Sequence, residues 1–181
     1  MSAPYDPLRV IPRVLGEALD PLPYWFVIGG QAVRCFAPYR PSRDIDFGID
    51  SPANLDDLVG HVEGRRLDVT GVLATKLHAI LDRGLRRDFF DLYVMLQQHQ
   101  LGIVAVLSAI RAVYPGQIDD GLMLRALTYF DDADREPSLP GEGPSDWRVV
   151  KDYFLVQVGR LLTPPVKRLK IRAQTIDLDE P

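Results

Sequence analysis

The chain holds a single cysteine, Cys35, and only three histidines in 181 residues. One thiol excludes an intramolecular disulfide framework and suits a reducing compartment. Cys35 sits among apolar neighbours and reads as a small buried side chain. His61, His78 and His99 show no ligand spacing to one another or to Cys35, which argues against zinc. No sign of charge dominates: the formal net charge is −4 and the pI is near 5.3. That argues against a general nucleic-acid coat, because phosphate neutralisation needs clustered Lys and Arg. Basic clusters are local, at Arg83, Arg86 and Arg87 and in "VKRLKIR" from Val166 to Arg172. Long apolar runs are missing as well: "LGIVAVLSAI" is too short to span a bilayer and reads as a buried helix. The start, "MSAPYDPLRVIPRV", carries Asp6, several prolines and no apolar block, so it does not read as a signal peptide. A soluble cytoplasmic protein without a membrane partner is expected.

Leu8, Ile11, Val14, Leu15 and Leu19 recur at helical spacing, with an interruption near Pro12. "YWFVI" is aromatic and β-branched, ends at glycine, and reads as a buried strand. Helical character returns in "QAVRCFA", followed by the turn-rich basic loop "YRPSR". "DIDFGID" alternates, which predicts a half-buried strand with Asp44, Asp46 and Asp50 on its acidic face. Asn54 is expected to cap a short helix with Leu55, Leu58, Val59 and Val62, and "RRLDV" reads as a brief strand or a lead-in loop.

Two helical segments, "VLATKLHAILDR" and "DFFDLYVMLQQ", meet at Gly84. Their apolar stripes are Leu77, Ile80 and Leu81 on one, and Phe89, Leu92, Tyr93 and Leu96 on the other. Further helices are expected over 104–113, 121–129 and 146–162. In the last of these, Trp147, Val150, Phe154, Val158 and Leu161 form a core stripe, with Tyr129 and Phe130 packing beneath it. "FDDADREPSLPGEGPSD" reads as a polar loop, and the tail from 164 to 181 as extended. The expected class is α+β: a small mixed sheet in residues 1–70, an all-helical part over 71–163, and the tail.

Gly29-Gly30 and Asp44-Ile45-Asp46 carry the chemistry. Residues two apart on a strand lie roughly 6.6 Å apart on one face, so Asp44 and Asp46 can converge on one divalent ion. Without a cation two such carboxylates at roughly 4 Å repel by about 4 kcal/mol at an effective dielectric of 20. A glycine turn opening a helix offers unpaired N–H groups and the positive dipole end to phosphate. Together the two halves suit a nucleoside triphosphate. The segment lacks G-x-G-x-x-G, which removes a dinucleotide-binding turn.

"IGGQAVRCFAPYRPSRDIDF" resembles the GG or GS plus D-x-D signature of nucleotidyltransferases related to DNA polymerase beta. "LATKLHAILDRGLRRDFFDLYVML" is similar to the K-L-x-A-x-x-x-R-G-x-x-R-D-x-x-D-L-Y block of AbiEii/AbiGii-type nucleotidyltransferase toxins. "LTYFDDADREPSLP" with "DWRVVKDYF" looks like the C-terminal part of short members. The resemblance implies a nucleotidyltransferase core in 1–70 completed by the helical part. It implies that Gly29 and Gly30 hold triphosphate, that Asp44 and Asp46 bind Mg2+ or Mn2+, and that Lys76 lies near the nucleotide. Arg83 and Arg87 would face the nucleotide, and Asp88 and Asp91 would match the motif's acidic positions as catalytic groups. Nucleoside monophosphate would pass from an NTP to an RNA, tRNA in some members, or to a protein acceptor. A separately encoded antitoxin would be the partner.

From the residues alone, Lys76 and Arg83 lie seven apart and share a helical face. Asp88 is either an N-cap, with Asp91 in the first turn, or functional. Arg86 reads as solvated, and Asp131, Asp132 and Asp134 as a helix-flanking turn. Relatives of the polymerase type usually add a third carboxylate, for which Asp68 and Asp91 are the candidates. Two other readings follow: a relative that binds nucleotide without turnover, and a small-molecule, antibiotic-type transferase whose acidic loop from Asp131 to Glu142 attracts a cationic substrate.

Overall fold

Three residues of the first strand divide the hydrophobic interior in two. Phe26 faces a large apolar cluster, while its neighbours Trp25 and Val27 face a smaller one with Val10, Ile11 and Cys35. This is the two-residue period of a strand buried on both sides. The computed structural model describes residues 6–21, 25–42, 44–49, 60–116, 119–143 and 146–163. The tail from 164 to 181 and the helix expected from Asn54 lie outside them, apart from Val62, which belongs to a strand.

Helices α1 (Pro7–Val10) and α2 (Arg13–Leu19) break at Pro12, as the spacing requires. Strand β1 (Trp25–Val27) runs into α3 (Gly29–Phe36), which begins at the glycines and not after them. Strand β2 (Phe47–Ile49) pairs antiparallel with β1, Val27 opposite Phe47. A hairpin follows, β3 (Val62–Glu63) and β4 (Arg66–Leu67), turning at Gly64 with φ +64°. β4 lies parallel to β1, giving a mixed sheet of order β2-β1-β4-β3. "RRLDV" thus contributes a strand.

The remaining elements are helical: α4 (Val69–Asp82), α5 (Arg86–His99), α6 (Ile103–Val113), α7 (Asp120–Ala126), α8 (Asp131–Asp134) and α9 (Asp146–Leu162). Asp68 caps α4 by accepting the Gly71 N–H at 2.7 Å. Gly84, at φ +55°, makes the corner between α4 and α5, a conformation open to glycine at little cost. Leu77, Ile80, Phe89, Leu92 and Leu96 are buried, with Leu81 and Tyr93 half-buried beside them. "LGIVAVLSAI" is the buried helix α6, and among the described residues no single helix is long and apolar enough to cross a membrane.

The α9 stripe holds at Trp147, Val150, Phe154 and Val158, but Leu161 is exposed because the core ends one turn earlier. Phe130 packs edge-on against Trp147 and near Phe89, whereas Tyr129 points outward. The large cluster runs from Phe26 and Val33 through Leu73 and Phe89 to Val158, so sheet and helices share it. The fold is α+β and mostly helical.

Candidate nucleotide and metal site

The end of β1 delivers two features to one place. The Ile28 N–H donates to the Asp46 carbonyl at 3.0 Å, extending the β1–β2 ladder and setting Asp46 beside the start of α3. Regular strand begins only at Phe47, so Asp44 and Asp46 sit in its lead-in and not on the strand itself. Their alternation survives nonetheless: Ile45 and Phe47 pack on the smaller cluster, and Asp44 and Asp46 are exposed.

Gly29 has φ +60°, and a Cβ built there would overlap the Asp46 carboxylate. A Cβ on Gly30 would lie 2.8 Å from Ser42 Oγ and 3.5 Å from Arg40 Nη2. Both glycines therefore make room for side chains from the loop that follows α3. Ile28 is the N-cap of α3 and, among the described residues, no side chain caps the first-turn N–H groups, which leaves an uncapped dipole end. The loop is pinned by Ser42 Oγ, which donates to the Asp44 carbonyl at 3.0 Å, and by the buried Gln31, whose Nε2 reaches the same oxygen at 3.5 Å.

These groups line a cleft of about 410 Å³ together with Lys76, Arg83, Arg87 and the segment from Glu136 to Pro140. Deeper in, α5 carries Asp88 and Asp91, both buried. Lys76 Nζ lies 2.7 Å from Asp91 Oδ2 and 3.6 Å from Asp88 Oδ1. Arg83 grips Asp88 with Nε at 2.9 Å and Nη2 at 3.1 Å. Arg40 grips Asp91 with Nη2 at 2.9 and 2.8 Å from its two oxygens, and the Tyr39 hydroxyl donates to Oδ1 at 2.5 Å.

Burial, then the Asp91 charge, pushes the Tyr39 hydroxyl pKa well above its usual range. Burial alone would lower the Arg40 pKa, but the Asp91 carboxylate overcomes it and the net shift is upward. Arg83 also shifts upward, first through its hydrogen bond to Asp88, and it feels Asp46 across the cleft.

Of the two alternatives for Asp88, N-cap or functional, the N-cap is ruled out. The helix starts at Arg86, its N-cap is Leu85, and Asp88 lies inside the first turn, with Asp91 in the second. The cap comes from far away: the Arg86 N–H donates to the Glu136 carboxylate at 2.6 Å. Arg86 is not solvated either. Its guanidinium meets the Glu142 carboxylate at 2.5 Å and the Glu136 carbonyl at 3.1 Å, and lies 5.0 Å over the Trp147 ring. The polar loop after Phe130 is thus α8 followed by one wall of the cleft. Asp134 of α8 accepts from Trp147 Nε1 at 2.6 Å and Lys151 Nζ at 2.9 Å, which accounts for an acid in that turn.

Lys76 and Arg83 do meet the same cleft, although Lys76 is buried and Arg83 terminates α4. Of the two candidates for a third carboxylate, Asp68 is occupied by its helix cap and lies 3.4 Å from His61. Asp91 is occupied by Arg40, Lys76 and Tyr39. Among the described residues no three His, Cys, Asp or Glu side chains are grouped to hold a metal. Tyr39, Arg40, Ser42 and Gln31 escaped the sequence reading; their only signal was the basic, turn-rich loop between the glycines and the acids.

Asp44 and Asp46 have no hydrogen-bond or ion-pair partner for their carboxylates among the described residues, and neither has the guanidinium of Arg87. Two hard oxygen donors left open beside an uncapped helix end fit magnesium, which commonly takes one or two carboxylates and completes its shell with phosphate and water. Arg40, Lys76 and Arg83 against Asp88 and Asp91 leave one positive charge, and Arg87 makes two. Asp44 and Asp46 cancel these, so roughly four negative charges of a triphosphate require added positive charge.

The family model described as nucleotidyl transferase AbiEii toxin, type IV toxin–antitoxin system, matches residues 65–160. That span holds Lys76, Arg83, Arg87, Asp88 and Asp91 and begins after Gly29, Gly30, Asp44 and Asp46. An uncharacterized protein of Aquifex aeolicus (strain VF5), aq_aa25, is 26% identical over 114 residues, covering 63% of this chain and 52% of that protein. The chain therefore spans about half the length of that curated relative. No solved structure matches. With more than half of its length matched by that model, and with the matched acids and cations gathered around one cleft, the chain belongs to the AbiEii nucleotidyl transferase toxin family.

Proposed function

We propose that the cleft binds a nucleoside triphosphate and transfers its nucleoside monophosphate to an RNA, tRNA included, or to a protein acceptor. The chain would act in the cytoplasm as the toxin of a pair, held in check by a separately encoded antitoxin. One observation carries this reading: two carboxylates, Asp44 and Asp46, without a partner among the described residues, stand against the start of α3, which no described side chain caps, in a single cleft.

In this reading the first-turn N–H groups at Gly29 and Gly30 receive phosphate oxygens. Arg87, Arg83 and the face of Lys76 turned to the cleft offset the triphosphate charge. Asp44 and Asp46 would hold Mg2+ or Mn2+, whose chemistry is to neutralise phosphate charge and acidify the acceptor hydroxyl. The acceptor oxygen bonds to the α-phosphorus, the bond from that phosphorus to the bridging oxygen breaks, and pyrophosphate leaves. The hydroxyl proton goes to water or to a cleft carboxylate. Asp88 and Asp91 serve by fixing Arg83, Lys76 and Arg40.

The test is transfer of label from each of four nucleoside triphosphates to total tRNA, with magnesium, for the native chain and for Asp46→Asn. Label entering RNA with the native chain only supports the reading. Equal labelling by both proteins removes Asp46 from the metal site. A binding-only relative is the second reading, favoured by the engagement of Asp68 and Asp91 elsewhere. It expects nucleotide binding in calorimetry and no turnover on any acceptor. The small-molecule reading weakens, because the Arg86 guanidinium already pairs with Glu142 and its backbone N–H already holds the Glu136 carboxylate on the acidic wall.

A further inference from the structure

The two acids of the cleft hang from a loop whose anchor lies on another helix. Arg40, with a side chain only 10% exposed, makes a forked contact to Asp91, itself 1% exposed. The partners are 51 positions apart in the chain. The same guanidinium turns back on its own loop, Nη1 donating to the Pro41 carbonyl at 3.2 Å, and Nε reaches the Tyr39 hydroxyl at 3.0 Å. One residue on, Ser42 fixes the Asp44 carbonyl at 3.0 Å. The other end of the segment is tied to β1 through the Asp46 carbonyl. Arg40 and Asp46 are therefore each fastened, Asp46 to the sheet and Arg40 by a buried ion pair. Bidentate arginine–carboxylate pairs fix direction as well as distance, and a lysine cannot reproduce the fork.

We propose that Arg40 is a positioning residue. Seated on Asp91, it holds the loop that sets the Asp44 and Asp46 carboxylates side by side at the metal position, and Asp91 acts through Arg40 instead of ligating metal. This rests on the reading that Asp44 and Asp46 hold the cation. A loosened loop lets the two carboxylates repel and part, so loss of the clamp should appear as weaker cation binding before it appears in chemistry.

The experiment uses the full chain, with Mn2+ as probe, in the native form and as Arg40→Ala, Arg40→Lys, Asp91→Asn, the Arg40→Ala/Asp91→Asn double variant and Asp46→Asn. Free Mn2+ is read by electron paramagnetic resonance, and deuterium exchange is followed in peptides covering 38–46. Arg40→Ala and Asp91→Asn should each weaken Mn2+ binding by at least about tenfold, on the scale of a lost supporting contact to a metal ligand. Exchange over 38–46 should rise in both, and the double variant should be no worse than either single one. In transfer assays of Arg40→Ala the cation concentration for half-maximal rate should rise, with kcat at saturating Mn2+ within a few-fold of native.

If Arg40→Ala does not fold, Arg40→Lys keeps the charge and loses the fork, and should show the same shifts in smaller degree. An increased KM for nucleotide with unchanged Mn2+ binding and unchanged exchange would make Arg40 a phosphate ligand and overturn the proposal. Native protein that binds no Mn2+, or Asp46→Asn binding it as well as native, would sink the metal reading itself. The exchange data would then still decide whether Arg40 orders the loop.

Discussion

The Asp46 carboxylate occupies the space where a side chain on Gly29 would begin. Gly29 also stands at φ +60°. Backbone conformation and close approach thus demand glycine for separate reasons, and both concern the acid that faces the cleft. Gly29→Ala should cost about 1–2 kcal/mol of stability from the left-handed backbone alone. Because Asp46 must move, transfer should also fall, by at least about 100-fold if the pair fails to hold its cation. Gly64→Ala is the control: its φ is +64° but open space surrounds it, so stability should drop by a similar backbone cost while transfer survives. Urea unfolding and the transfer assay on both variants decide the point.

Asp44→Asn and Asp46→Asn should separate activity from stability. Both side chains are exposed and lack a partner among the described residues, so melting temperatures should stay within a few degrees of native, the usual outcome for surface changes of about 0.5 kcal/mol. Transfer should fall by at least about 100-fold in each. Calorimetry of unfolding beside the labelled-nucleotide assay measures both quantities; a large stability loss would mean that the acids support the fold.

The helices and their apolar faces were legible because periodicity is a local signal: α4, α5, α6 and most of α9 follow from Leu77, Phe89, Val106 and Phe154 at helical spacing. The exposed pair Asp44 and Asp46 was legible too, through alternation. What escaped depends on residues far apart in the chain. Arg86 looked solvated because its partners, Glu136 and Glu142, come 50 and 56 positions later. Asp88 looked like a cap because aspartate before an apolar run suits one, yet the N–H at Arg86 takes its acceptor from Glu136 and the helix starts sooner. Leu161 fits its stripe, but it is exposed in the last turn of α9, and among the described residues none covers it.

Lys76→Ala should be among the more damaging substitutions. It removes a cation 5% exposed from between Asp91 and Asp88, which are 1% and 0% exposed. Breaking a buried pair from one side costs roughly 3–5 kcal/mol. Arg83→Ala should cost less, about 1–2 kcal/mol, because its side chain is 44% exposed and water can take its place on Asp88. Equal losses in urea titration would contradict this order.

Cys35 gives a pH signature in the alkaline range. Burial pushes its thiol from 9.0 up to about 11. The unfolded thiol ionises first, so stability is full below pH 9 and declines as pH rises from there towards 11, by roughly 2–3 kcal/mol in total. Tyrosines add their own slope at high pH, so the measurement is the difference between native and Cys35→Ala in urea unfolding across that range. That difference should shrink as pH rises. In native conditions near neutral pH, thiol reagents should label Cys35 far more slowly than in denaturant.

Arg86→Ala should free the wall of the cleft. The segment from Glu136 to Glu142 loses both its carboxylate and its carbonyl contacts to that guanidinium, and the change should cost about 3–5 kcal/mol as a broken buried pair. Limited proteolysis should then cut within 136–142. Arg111→Ala, which breaks an ion pair exposed on both sides, should change stability by no more than about 1 kcal/mol and leave the cutting pattern alone.

The cleft draws its lining from residues as far apart in the chain as Gly29 and Pro140. A ribosome must therefore have made most of the chain, and released it beyond residue 140, before the cleft has all its walls. Nascent fragments lack the Glu136 segment that starts α5 and closes one side. A chain interrupted before that segment therefore presents its glycines and acids without the complete cleft.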